Sequence, residues 1–472
     1  MEPRRSIAST EEAAPRPLEL TGVQVEAVGR ETGEPGWMVD LRRAALDAYR
    51  RMDAPQAGDE AWRRSDLLGY PFSELTIEAL TLSGKPKRAP AGWIKPAFDQ
   101  TGGRLILEDR AVHTAQLDDR WMQAGVVFQP IVQAARDHPD LMRSLLGSGA
   151  PRGGGIFSAL AAVLFDTGIL LHVPKGVRIE TPLHAQFWSS GDGLRAWRLL
   201  VNVEEGAEVS FLQEFASPEK KADAARVDDI ELTVHPGATL RFFTIQNWGG
   251  NVVRIGNERA VVHGAGRLVW GSANLGARST KTFSSLDLTG EGASAQWTSL
   301  HILGGSQQAD FSTLQNHAAP RTGSDFLCKG VLAGSSRSVS RGMVRIAPDA
   351  VGADGYQGNR ILILSDQARA EAVPGLEILS DDVRCSHGVT IGELDPEELF
   401  YLRSRGIPEG ESRKLLVGGF LEAALGRIPE ESVRRRVHLA VEAKMETMEE
   451  GISRGGDTGS PGRQTDEQGA VE

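Results

Sequence analysis

With 472 residues the chain is longer than one compact core of ordinary size, so two or three structural regions, or an elongated repeat architecture, are expected. A formal charge of −11 with acids and bases interspersed argues against a phosphate-binding surface, and so against nucleic acid as a partner. No apolar run approaches the roughly 18 to 20 residues of a membrane span, "MEPRRSIASTEEAAPRP" has no signal-peptide core, and two cysteines, Cys328 and Cys385, fit a reducing compartment. A cytoplasmic protein with no membrane partner is therefore expected.

Residues 1–18 are polar and read as a disordered lead-in. A helical and mixed region follows over 19–150. In "WMVDLRRAALDAYRRM" the residues Trp37, Leu41, Ala45 and Tyr49 recur every four positions, the spacing of one buried helical stripe. The segments "AGWIKPAFD" and "ILEDRAVH" continue this region to the glycine-rich "GSGAPRGGG", where a boundary is placed. From Ile156 the texture changes to short β-branched and aromatic alternations. Glycine turns at Gly176, Gly206, Gly237 and Gly292, with Ala265 in the matching place, are spaced 30, 31, 28 and 27 residues apart, each followed by a period-2 strand. Repeats of strand and turn without helix point to a parallel β-helix over 151–394, a mainly β fold flanked by N-terminal and C-terminal helical regions. A large β-sandwich is the rival architecture. Over 395–453 the helical period returns: Asp395 as cap, Pro396 at the first helical position, Glu398 three residues after the cap and Gly406 as the stop. "ESRKLLVGGFLEAALGRI" then places Leu416, Phe420 and Ala424 on one stripe with Leu421, Leu425 and Ile428 beside it. Residues 454–472 read as a disordered tail.

Several chemistries lack their motifs. There is no P-loop, G-x-S-x-G elbow, H-E-x-x-H, C-x-x-C or post-strand G-x-G-x-x-G. A β-helical carbohydrate-active enzyme would need paired carboxylates. Asp381 and Asp382 are adjacent, and on a strand they would point to opposite faces.

What remains is "DVRCSHGVTIG". If it is a strand, Cys385 and His387 lie at i and i+2 on the same face with Ser386 on the other. Thiolate and imidazole together suit iron or zinc, but a whole site needs about four ligands. The other thiol, Cys328, lies far upstream, so a partner subunit or a transient substrate would have to complete the site. A buried thiol and a solvated imidazole are the bland alternative.

The strings "NHAAPRTGSDFLCKGVLAG", "GADGYQGNRILILSDQARAEAVPGLEIL", "DDVRCSHGVTIGELD" and "LFYLRSRGI", in this order over residues 310–425, resemble the shared core of the SufB/SufD family of iron–sulfur cluster assembly scaffolds. "AWRRSDLLGYPF" is similar to the family's N-terminal Trp-Arg segment. SufB-type chains carry a cysteine after the "FY" of the last string, where this chain has Leu402, whereas "CSHG" is the SufD pattern; the chain thus resembles SufD. The resemblance implies a non-catalytic scaffold that pairs with a SufB-type subunit, each binding a SufC-type ATPase, with sulfur arriving indirectly from a cysteine desulfurase system. It implies a transient cluster at the subunit interface, with ATP bound only by the partner and no stable cofactor on the isolated chain. His387 matches the SufD histidine implicated there; Cys385 also matches the motif, with packing and ligation both open. The helices after the β-helix would dock the ATPase, with Leu399, Phe400, Tyr401, Arg403, Arg405 and Phe420 as candidate contacts. A SufB-type homodimeric scaffold is the nearer alternative, and Leu402 speaks against it.

Overall fold

The computed structural model describes residues 18–80, 89–91, 93, 98, 100–147 and 155–455. Most of the expected lead-in, most of the expected tail and the glycine-rich boundary lie outside these residues. Leu18, the last residue of the expected lead-in, is buried, and Tyr49 Oη donates to its carbonyl (3.1 Å).

The described strands form two sheets, of 10 and 9 strands. From Phe165 to Glu393 successive strands alternate between the sheets, and each strand from Gly193–Val203 to Asp354–Ile363 pairs in parallel register with the strands two before and two after. This winds a solenoid of about eight turns, the β-helix expected from the repeats. Because side chains alternate along each strand, one set fills the interior and the other faces outward. In-register interior positions stack from coil to coil. One such column in the ten-stranded sheet runs Phe211, Phe242, Trp270, Trp297, Phe326, Gln357, His387. Trp270 and Trp297 stack face to face, with centroids 4.4 Å apart and planes 3° off parallel.

The turns stack as well. Gly176, Gly206, Gly237, Ala265 and Gly292 all have positive φ, and the series continues through Arg321 (φ 53°) and Gly352 (φ 72°). Each amide in the series donates to a carbonyl of the next turn, as in Gly206 N to Pro236 O (3.0 Å) and Arg321 N to Val351 O (2.9 Å). This ladder holds Ala265 and Arg321 in a left-handed conformation that otherwise disfavours residues with a Cβ. Counting glycines alone breaks at Ala265 and again at Arg321, so the series stops at Gly292, two positions short of Gly352, for that reason.

The N-terminal region covers the outer face of the nine-stranded sheet. The helix Gly36–Arg51 buries Met38, Arg42, Ala45, Leu46 and Tyr49, while Trp37 and Leu41 are only half-buried, so the stripe is turned from the one expected. Its Arg42 is fully buried, paired with Glu34 (2.6 Å) and donating to Val163 O (2.9 Å). Val163 belongs to a helix, Gly155–Leu164, that stands where the sequence reading begins its strands. Nine of its ten residues are buried, and a segment apolar on every side carries no period that separates helix from strand. Antiparallel strands terminate the sheets at this end: Ala111–Leu117 beside Gly103–Glu108, and Val127–Pro130 beside Phe165–Val173.

The C-terminal helices Pro396–Ser404, Glu409–Leu425 and Glu431–Gly455 follow the last strand. The last two pack on the outer face of the ten-stranded sheet, where Val417, Leu421, Ala424, Leu425, Val433 and Val437 join Ile245, Leu300, Ile302 and Val331 in one apolar cluster. Leu416 is only half-buried, so here too the buried stripe is displaced, toward Val417. Arg436 pairs with buried Glu214, fixing the last helix to the sheet.

Candidate functional site: the open end of the solenoid

Among the described residues, no strand covers the C-terminal end of the solenoid. The strands Arg369–Ile378 and Arg384–Glu393 are the edges of the nine-stranded and ten-stranded sheets, and each pairs on one side only. Val373, Leu376, Ile378, Leu379, Val389 and Ile391 are all exposed here. An apolar edge with unpaired backbone groups is a template for association with another chain.

Cys385 and His387 lie on the last strand, in register with Gly355 and Gln357. The strand expected from the sequence forms, and alternation places both residues on the interior column while Ser386 takes the other face. Their surroundings differ. Cys385 is half-buried against Val344, Ile346, Ala350 and Ala353. Burial, helped by the charge of Asp354, raises its thiol above the ordinary range, so it remains protonated near neutrality. Gly355 leaves room beneath it: a Cβ there would stand 3.6 Å from Cys385 Sγ and 3.3 Å from His317 Nε2. His387 is exposed at the rim. Among the described residues, no three His, Cys, Asp or Glu side chains gather as a metal-holding group.

Cys328 sits several strands deeper and is buried, its Sγ 3.8 Å from His301 Nδ1. Burial pushes its thiol up to about 12 and the His301 imidazole down to about 4, so both are neutral. Such a thiol is unreactive as it stands. Asp381 and Asp382 are in the bend before the last strand, both exposed. Lying outside a strand, their side chains are not held on opposite faces by alternation. The Asp382 carbonyl accepts from Gly352 N (2.7 Å), closing the turn ladder.

The helix Pro396–Ser404 begins directly after the last strand. Asp395 caps it by accepting from Glu397 N (2.8 Å), and Gly406 follows it with φ 84°. It buries no residue: Phe400 and Tyr401 are 73% and 56% exposed, and Leu415 on the next helix is 56% exposed. Arg403 and Arg405 are exposed beside them, with Arg405 5.1 Å over the Tyr401 ring, while Leu399 and Leu402 are half-buried. Phe420 differs from this group. It packs with the apolar cluster, Lys329 Nζ lies 4.3 Å over its ring, and the same ammonium donates to its carbonyl. Phe420 thus anchors its helix to the solenoid.

Reading by residue type missed Gln357, which is fully buried with both carboxamide atoms unpartnered. The available signal was register, since Gln357 lies one coil before His387.

Two family descriptions match the chain: SufBD protein N-terminal region over residues 31–185, and SUF system FeS cluster assembly, SufBD core domain, over 187–420. Iron–sulfur cluster assembly SufBD family proteins of Staphylococcus epidermidis (29% identical), Staphylococcus haemolyticus (28%) and Staphylococcus aureus (28%) align over 430 residues, 87% of this chain and 90% of each relative. The core match runs from the first coils of the solenoid through the exposed terminal coil into the helices beyond it. With both matches taken together, the chain belongs to the SufBD family of iron–sulfur cluster assembly proteins.

Proposed function

We propose that the chain is a SufD-type scaffold subunit that pairs with a SufB-type subunit through the open end of its solenoid, with nascent clusters built between the two. The observation that carries this reading is the position of His387, exposed on the unpaired strand of the terminal coil and beside an apolar edge. An imidazole can serve as a ligand to cluster iron, and one histidine at a subunit boundary supplies part of a ligand set that the partner completes. Iron and sulfide are substrates that pass through this place, the sulfur coming indirectly from a cysteine desulfurase system. The cluster is transient, and the isolated chain keeps no stable cofactor.

The exposed pair Phe400 and Tyr401, with Leu399, Arg403 and Arg405, forms the docking surface for a SufC-type ATPase. Aromatic and arginine side chains are typical anchors of protein interfaces. Only one residue, Leu394, separates the last strand from the cap of this helix, so motion of the ATPase would be transmitted directly to the strand that carries His387. The scaffold itself is non-catalytic and works in the cytoplasm. The SufD-type assignment over the SufB-type homodimer rests on Leu402 and on "CSHG" at Cys385–Gly388.

The test is His387→Ala in a complex reconstituted with SufB-type and SufC-type subunits. Assembly, read by size-exclusion chromatography, should be intact, while anaerobic loading of iron and sulfide should fall severely. Unchanged loading would overturn the ligand role.

A further inference from the structure

The segment "AWRRSD", Ala61 to Asp66, has no part in the function proposed above. It ties together strands of the nine-stranded sheet that run up to the open edge. Its first half is bolted to strands that are paired on both sides. Trp62 is buried between Phe157 and Phe283, with ring centroids 5.5 and 5.6 Å away. The Ala61 carbonyl accepts from Lys281 Nζ (2.6 Å) and from Arg341 Nη2 (2.9 Å), and both cations pair with Asp310. Lys281 and Phe283 belong to Ser279–Leu288, and Arg341 belongs to Arg337–Ile346.

Two residues after Trp62 the segment reaches the edge itself. Arg64 Nε donates to Glu371 Oε2 (3.1 Å) while its Nη1 donates to Glu60 (2.7 Å). Arg337 Nη2 donates to the other Glu371 oxygen (2.8 Å) and a second nitrogen of Arg337 lies 3.7 Å from Asp66. The Arg337 guanidinium, aided by Arg64, holds the Glu371 carboxyl below its ordinary range. Glu371 is on Arg369–Ile378, the edge strand, which has a strand neighbour on one side only and contains no buried residue. An element of that kind belongs to the least stable end of a fold, where local opening costs close to nothing.

We propose that Ala61–Asp66 is a brace that keeps the open edge strand ordered for the subunit that pairs with it, with Arg64 and Glu371 as its positioning residues. The inference rests on the pairing reading given above. Apparent affinity scales with the fraction of the chain that is competent to bind. The brace raises that fraction before the partner arrives, by linking an otherwise unsupported strand to Trp62 and the buried ions beneath it.

The test uses the full chain, alone and with a SufB-type subunit. In Arg64→Met, amide hydrogen exchange over 369–378 should quicken about fivefold, while exchange over the neighbouring strand 337–346 changes by less than about twofold. Binding of the SufB-type subunit, read by titration calorimetry, should weaken about threefold or more. The Arg64 and Glu371 side chains are 24% and 41% exposed, so salt screens the clamp. Raising salt should quicken the same amides in the unmodified chain and have little further effect in Arg64→Met, and Arg64→Lys should recover part of the protection. Leu376→Glu, at an exposed apolar position of the same strand, tests the pairing reading by itself. If it leaves binding unchanged, the pairing reading falls and the proposal with it. If Leu376→Glu weakens binding and Arg64→Met does not, the brace alone falls. Unchanged exchange over 369–378 in Arg64→Met, or exchange that rises equally across the sheet, would also overturn it.

Discussion

Gln357 and His387 occupy matched positions on the last two strands of the ten-stranded sheet, the final members of an interior column that is otherwise aromatic from Phe211 to Phe326. Gln357 is fully buried, its carboxamide is unpartnered, and it fills the space opposite Gly342, where a Cβ would collide with it. An unpaired buried amide in a folded chain lowers stability, so a role in holding the imidazole of His387 during assembly would account for its presence. The expectation is a trade. Gln357→Met keeps the volume and should leave stability unchanged or raise it by about 1 kcal/mol, while cluster loading of the reconstituted complex falls several-fold. Denaturant unfolding and anaerobic iron and sulfide analysis check the two arms, and a large loss of stability would contradict the reading of an unpaired amide.

Cys385 and His387 should separate in their effects. His387 is exposed, so His387→Ala should shift stability by less than about 0.5 kcal/mol while removing cluster formation. Cys385 packs against Val344 and Ile346 and its thiol is held protonated, so Cys385→Ala should cost about 1 kcal/mol and leave loading within twofold. Loss of loading in Cys385→Ala at unchanged stability would instead make the thiol a ligand.

The solenoid was legible in the sequence because its turns repeat. A positive-φ position every 27 to 31 residues is a chain-wide period that local ambiguity does not erase. Arg321 hid the next unit, since its conformation is imposed by the ladder from Val351 and not by its own preference. The helix Gly155–Leu164 was illegible for a different reason: burial on every face leaves no amphipathic period. At the site, the strand and the shared face of Cys385 and His387 followed from alternation. That one is packed and the other exposed did not, because it depends on the cluster around Ala350 and Ala353, which only the folded coil assembles.

The helix Pro396–Ser404 can be tested by substitution because it buries nothing. Removing everything after Leu394 would be a poorer test, since Val417, Leu421, Val433 and Val437 cover Ile245, Leu300, Ile302 and Val331. Such a truncation would expose core surface and destabilise the chain. Phe400→Glu with Tyr401→Glu should abolish co-purification with the ATPase and leave the thermal midpoint within about 2 °C. Phe420→Ala should behave in the opposite way. It should cost about 2 to 3 kcal/mol through lost contacts with the apolar cluster and Lys329, with ATPase binding retained wherever the chain is folded.

Burial makes the solenoid acid-sensitive in a defined window. His301 and His317 are both fully buried inside it, and burial pushes both imidazoles down to about 4. His317 bonds to Thr322 Oγ1 and Ser324 Oγ (both 2.8 Å), and His301 bonds to Ser338 Oγ (3.0 Å), which satisfies the neutral rings. In the unfolded chain each imidazole binds a proton below about pH 6.5, whereas in the folded chain neither does until about pH 4. Unfolding therefore takes up as many as two protons in this interval, and stability rises with pH across it. Each histidine contributes on the order of 3 kcal/mol that is present above about pH 6.5 and is lost as pH falls toward 4. Denaturant midpoints measured from pH 7 to pH 4.5 should fall steadily. In His301→Gln, which keeps a polar partner for Ser338, the slope should be about half as steep. A stability that is flat across this range, or that rises as the pH is lowered, would contradict the neutral burial of both rings.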